Sequence, residues 1–280
     1  MRGLFLLGLL ILLAMPIANA ADNVGHVLVV QPIQKQIFEG EVLDLGLVGP
    51  GQKVELEISR SSNIYDFRNV EEVWDRLKID DNTLPDFWRS EYSLRYEANP
   101  KAFVIVDSDA PDGEYEFSLH TERDYGDASK NPVRFMAKIL VRRDVLDLQV
   151  LSKNVNGGVE QPSEFTIKLV NMGSANDAFE LEVVSGLPNE WRFKKQVFIP
   201  HNSEKIIPYE LVAKEQIDEQ IVFKATSLSS TSITDSDSGS LSTRSSLLQD
   251  MKSVGNGVLL FPNIEMAVYY LMGFVASNFF

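Results

Sequence analysis

The chain has 280 residues, 44% of them hydrophobic and none of them cysteine, with a formal net charge of −14. That hydrophobic content excludes a disordered chain, and the lack of cysteine excludes thiolate metal sites, cysteine nucleophiles and disulfide-stapled modules. The acidity argues against nucleic acid as a partner, because phosphate binding needs a basic field, and against peripheral attachment to anionic lipid.

The N-terminus opens Met1-Arg2-Gly3, continues through the apolar run Leu4–Ala14, and reaches Pro16 and then Ala18-Asn19-Ala20. A short basic start, an apolar core and an A-x-A site define a secretory signal peptide, residues 1–20, cleaved after Ala20. The competing readings are a buried helix and a retained anchor, but the run is short for about 30 Å of hydrocarbon. The mature protein is expected outside the cytoplasm, with length for two domains.

From Val27 to about Phe223 the dominant pattern is period-2 alternation, the mark of strands with one buried face. Lys53–Ile58 places Val54, Leu56 and Ile58 on one side, and Glu114–Leu119 repeats the pattern. Phe165–Leu169 and Phe179–Val183 do the same further on. Turn residues separate the runs: Gly49-Pro50-Gly51, Ala110-Pro111-Asp112-Gly113 and Asn156-Gly157-Gly158. Short strands with regular turns predict an all-β fold of antiparallel sandwiches.

Between Ser59 and Val73 lies extra chain, Asn63-Ile64-Tyr65-Asp66-Phe67-Arg68-Asn69, mixing aromatics with charge. Loops carry binding more often than frameworks do, so Tyr65, Phe67 and Arg68 are the candidate contacts to a protein partner. An ordinary long connection explains the same residues equally well.

Leu84-Pro85-Asp86-Phe87-Trp88 is echoed by Leu187-Pro188-Asn189-Glu190-Trp191, each preceded by an alternating strand. Two copies indicate a duplication rather than a solenoid. Trp88 and Trp191 are large enough to plug a sandwich end; sugar stacking is the alternative role. Asn171 and Gly173 suit a turn that needs positive φ and local side-chain hydrogen bonds.

Leu169-Val170-Asn171-Met172-Gly173 through Phe179, then Leu187-Pro188-Asn189-Glu190-Trp191, resembles the NEW3-type Ig-like module. The resemblance covers roughly Leu146 to Ala225 and, more loosely, Val27 to Arg143. It implies two tandem Ig-like antiparallel β-sandwiches, residues 21–145 and 146–226. Such modules occur beside glycosidases and in archaeal S-layer-like surface proteins, as spacers and binding platforms. A glycan is thereby a possible ligand, with nothing in the residues to favour it.

After Ala225 the composition turns to serine, threonine, aspartate and glycine, so residues 227–250 read as a Ser-rich flexible linker. Gly257–Phe280 is apolar, contains the single charge Glu265, and is long enough to span a bilayer as a helix. The expected role is a C-terminal membrane anchor, with Glu265 facing a partner inside the membrane. Docking onto a protein and removal as a sorting signal are the other readings.

The residues offer no catalytic constellation. The three histidines, His26, His120 and His201, lack any H-x-x-x-H spacing, and no G-x-S-x-G, S-x-x-K or phosphate-binding glycine loop occurs. Glu71-Glu72 and Asp80-Asp81 are adjacent acids, which on a strand point to opposite faces instead of converging across a cleft. The acidic run Asp107–Glu114 departs from calcium-loop spacing and reads as a turn. No enzyme activity and no cofactor are expected.

Overall fold

The computed structural model describes residues 26–65, 68–94, 97–123, 132–184, 187–188 and 193–245. The signal peptide, the C-terminal segment with Glu265, and Phe67 and Trp191 lie outside the described residues. Among the described residues, no helix is long and apolar enough to cross a membrane.

The first half of the chain forms β1 (His26–Gln31), β2 (Lys35–Phe38), β3 (Val42–Val48), β4 (Lys53–Ile58), β5 (Ser61–Tyr65) and β6 (Glu71–Val73). It continues with β7 (Arg76–Ile79), β8 (Arg89–Tyr92), β9 (Lys101–Ile105), β10 (Gly113–Glu122) and β11 (Arg134–Val141). Alternation sets the faces. In β4, Val54, Leu56 and Ile58 are fully buried while the intervening Lys53, Glu55 and Glu57 look outward. One sheet runs β2-β1-β4-β9-β8 and the other β3-β11-β10-β7. Their inner residues, among them Val54, Leu56 and Val104 from one sheet and Leu45, Phe117 and Ile139 from the other, make a single core.

The second half forms β12 (Leu146–Val150), β13 (Asn154–Gly158), β14 (Pro162–Asn171), β15 (Asp177–Val183), β16 (Lys195–Ile199), β17 (Ser203–Val212), β18 (Asp218–Ser227) and β19 (Thr234–Arg244). Its sheets run β12-β14-β17 and β13-β19-β18-β15-β16. The aromatic centre is Phe165, Tyr209 and Phe223, with ring centroids 5.0 Å (Phe165–Phe223) and 5.3 Å (Tyr209–Phe223) apart. Burying each such side chain contributes on the order of 1.5–3 kcal/mol. The two cores divide between Val141 and Val145.

Both halves therefore share the central part of one strand order, β1-β4-β9 with β3-β11-β10-β7 and β12-β14-β17 with β13-β19-β18-β15, and it is the immunoglobulin-like one. In each, a strand pair near the N-terminus is split between the two sheets. β3 lies parallel to β11, and β13 lies parallel to β19. This corrects the expectation of purely antiparallel sheets. The chain crosses from one sheet to the other early in each domain, so its next strand runs in the same direction as the domain's last.

The larger correction concerns residues 227–250. Thr234–Arg244 is a strand of the second sandwich, paired with β18 from Thr226↔Thr234 to Asp218↔Ser242. Ile233 and Leu241 are fully buried in the second core. The polar composition has a structural cause. β13 flanks β19 only from Ser240 to Arg244. Ahead of that stretch, side chains take the place of a flanking strand. Asp235 Oδ2 accepts the Leu148 amide at 2.7 Å, and Asp237 Oδ2 accepts the Val150 amide at 2.7 Å and Lys153 Nζ at 2.5 Å. Gly239 is small because an added Cβ would sit 3.0 Å from the Phe165 ring and 3.1 Å from the Ser152 carbonyl oxygen.

For Asn171 and Gly173 the expected positive φ is corrected, while the expected local side-chain hydrogen bonds are found. Among the described residues the left-handed ones are Asn63, Asn69, Phe87, Glu160 and Asn202, with Gly40, Gly46 and Gly51. Asn171 works through its side chain, accepting the Gly173 amide at 3.0 Å and donating to the Ala175 carbonyl at 2.9 Å.

Candidate functional site

Of the predicted contact residues, Tyr65 and Arg68 fall on one hairpin, β5–β6, a separate two-stranded sheet that packs by Ile64 on the first core. Its register pairs Ser61 with Val73, Ile64 with Glu72 and Tyr65 with Glu71, with a shift between Ser61 and Ile64. Asn63 and Asn69 take φ of 53° and 61°. Asparagine tolerates that conformation through local side-chain hydrogen bonding. Tyr65 is 45% exposed and Val70 57% exposed, with Arg68 also on the surface.

The hairpin is fastened along its length. The Glu71 carboxylate accepts the Ser61 hydroxyl and, at 3.0 Å, the Asn63 amide. Those two bonds, Ser61 first, hold the Glu71 carboxyl below the usual carboxylate range. The Ser62 hydroxyl donates to the Glu72 carbonyl, and Asn63 Nδ2 meets His26 Nε2 at 2.7 Å.

Its root is Trp74, fully buried, whose Nε1 donates to the His26 carbonyl at 3.2 Å. The Arg123 guanidinium lies over the Trp74 ring, 4.1 Å from the centroid, and pairs with Glu72. Stacking of this kind is worth about 2 kcal/mol when desolvated. Burial presses the Arg123 guanidinium below its ordinary value, opposed by the charges of Glu72, Asp75 and Glu71. Arg60 adds a bond from Nη2 to Asp75 at 3.1 Å. Sequence reasoning missed Trp74 and Arg123. The available signal was a tryptophan enclosed by acids, Glu71-Glu72-Val73-Trp74-Asp75, which makes sense once a buried cation stacks on the ring.

The remaining candidates resolve into local structure. Glu71 is held within the hairpin while Glu72 pairs with Arg123, so the two acids serve different neighbours. Asp80 accepts the Asn82 amide at 3.2 Å, and Asp81 accepts the Ser90 hydroxyl at 2.5 Å. In the Asp107–Glu114 run, Asp107 accepts the Asp109 amide at 3.2 Å and Asp112 pairs with Arg143. Among the described residues no group of three His, Cys, Asp or Glu is placed to hold a metal ion. Trp88 is 7% exposed and packs on Tyr115 with centroids 5.0 Å apart, so its face is taken up inside the core. His120 faces Glu122 at 3.6 Å, and His26 stands 5.9 Å from Phe38.

No protein-family model matches the chain, and no curated protein matches it. Solved structures similar to it include a chimeric titin Z1Z2 functionalized with an exogenous decorin peptide. That likeness has 11% identity and a TM-score of 0.36, covering 80% of this chain and 99% of that one. The D00-D0 domain of intimin is 12% identical with a TM-score of 0.25, covering 77% and 98%. The fibronectin(III)-like modules of Clostridium thermocellum CbhA are 11% identical with a TM-score of 0.27, covering 78% and 94%. The strand order itself defines the class: a tandem pair of Ig-like β-sandwiches.

Proposed function

We propose that the chain is a non-catalytic, exported binding or structural subunit of an extracytoplasmic complex, anchored to a membrane by its C-terminal segment. Within that reading the two sandwiches form the scaffold and the β5–β6 hairpin presents the contact to a protein partner. The observation that carries it is the hairpin itself. It forms its own two-stranded sheet packed by Ile64 on the first sandwich, exposes Tyr65, Arg68 and Val70, and is rooted on a buried tryptophan–arginine stack. Rigid elements that present aromatic and arginine side chains at low entropic cost make good contact surfaces. A NEW3-type role as a surface spacer fits the same architecture.

A photo-crosslinking residue in place of Tyr65, in the full-length chain in its own cells, tests this. One defined crosslinked protein, lost when the probe moves to exposed Glu219 of β18, supports the reading. Equal labelling from both positions overturns it. Anchoring is tested separately by alkaline carbonate extraction of the full chain beside a truncation ending at Asp250. Release of the full chain into the soluble fraction would contradict it.

A further inference from the structure

We infer that the two sandwiches are locked into one rigid body by a buried polar clasp centred on Asp177, built from the serine turn between β18 and β19. Asp177 is 4% exposed and has a donor on every side. Its Oδ2 accepts Gln52 Nε2 at 2.8 Å and the Ser227 hydroxyl at 2.6 Å. Its Oδ1 accepts the Ser229 hydroxyl at 2.8 Å and the Ala178 amide at 2.7 Å. Gln52 belongs to the first sandwich and is fully buried, and its Oε1 is occupied by the Gly49 amide at 2.7 Å. The carboxylate thus ties the turn before β4 to the start of β15 and the end of β18.

Apolar packing crosses the same boundary in both directions. Ala175, from the turn that Asn171 holds together, is fully buried in the first core, and Leu47 of β3 packs against the second. The Ser174 amide donates to the Leu47 carbonyl at 2.7 Å. Three glycines allow this approach. A Cβ on Gly49 would lie 2.3 Å from Ile233 Cδ1, and one on Gly51 would lie 2.5 Å from the Ser229 carbonyl oxygen. At Gly46 it would lie 3.0 Å from Ser174 Oγ.

Domains joined by a linker move relative to one another unless their interface is substantial. Separation would break the Gln52–Asp177 bond, although Asp177 keeps three donors from its own sandwich, and would uncover the apolar contacts of Ala175 and Leu47 across the boundary. The closed arrangement is therefore strongly preferred over any hinged one that separates Gln52 from Asp177. The rigidity of the pair is independent of what the β5–β6 hairpin binds.

The chain has no cysteine, so spin labels can be placed at exposed Gln36→Cys and Glu219→Cys in the otherwise unchanged full-length protein. Double electron–electron resonance is expected to give a single narrow distance distribution. Gln52→Ala and Asp177→Ala, each added to that pair, are expected to widen it by about twofold or more as the domains regain ordinary hinge freedom. Circular dichroism of the strands should stay unchanged in Gln52→Ala, which decides the matter if Asp177→Ala fails to fold. A broad distribution in the parent protein overturns the inference. So does an unchanged narrow peak in the folded variants.

Discussion

The two sandwiches share a strand order yet guard their edges differently. In the first, β3 runs beside β11 from Val42↔Met136 to Val48↔Val141, so main chain covers nearly the whole of that last strand. In the second, β13 reaches only the Ser240–Arg244 end of β19, and two aspartates bond the β12 amides over the rest. The chain after the shared Leu-Pro motif diverges too: β8 joins β9 in the first domain, whereas β16 joins β15 in the second. The shared part of the strand order thus tolerates one strand changing sheets, and at a separate edge side chains cover the stretch of β19 that β13 does not reach.

The largest expected effect lies in the first sandwich. Trp74→Ala removes a fully buried ring, its bond to His26 and the platform under Arg123. It should cost about 3–5 kcal/mol in a denaturant titration and release the hairpin to proteolysis. A loss under about 1 kcal/mol would show that the hairpin stands without its root. In the second sandwich, Asp237→Ala leaves the buried Val150 amide without its acceptor and Lys153 with the Ser238 carbonyl alone. The expected cost is about 1–3 kcal/mol. Trimming an exposed pair in the first sandwich, with Lys138→Ala opposite Glu114, should change stability by about 0.5 kcal/mol at most.

The titrations separate the same regions. Burial alone would raise the Asp237 carboxyl, but hydrogen bonds from Lys153 and the Val150 and Ser238 amides outweigh it and hold the group below its ordinary value. The folded protein then binds this proton less readily than the unfolded chain. Its stabilisation is complete above about pH 4 and drains away as pH falls through the lower folded value. Asp237→Asn should flatten that acid limb in a stability–pH profile. Tyr209 works at the other end of the scale. Burial pushes its hydroxyl up to about 12, and the protonated hydroxyl donates to the Phe193 carbonyl. Its contribution is present below about pH 10 and is lost as pH rises toward the folded value. Ultraviolet difference titration should show Tyr209 ionising late, and Tyr209→Phe should remove that step.

The framework was legible because burial was written as alternation: β4, β10, β14 and β15 read directly from Val54-Glu55-Leu56 and its counterparts. The Leu-Pro-x-x-Trp echo likewise pointed to corresponding places after β7 and β15. The hairpin was visible as an aromatic, charged interruption, but its Trp74–Arg123 root joins residues 49 positions apart, beyond the reach of local pattern. β19 was illegible for a different reason. Thr234-Asp235-Ser236-Asp237-Ser238-Gly239 has the composition of a coil, because its carboxylates and its glycine are chosen by β12 and Phe165, which lie far away in sequence. The junction was hidden in the same way: Ser227 and Ser229 look like tether residues until Asp177 is placed between them.

Amide hydrogen exchange across Thr234–Arg244 tests the account most directly, since the carboxylate closure depends on that segment being a strand and the serine turn of the clasp leads into it. The structure predicts protection there comparable to β18, with the amides of Leu148 and Val150 protected as well. Exchange at the rate of an unstructured chain from Ser227 onward would contradict it and restore the flexible tether.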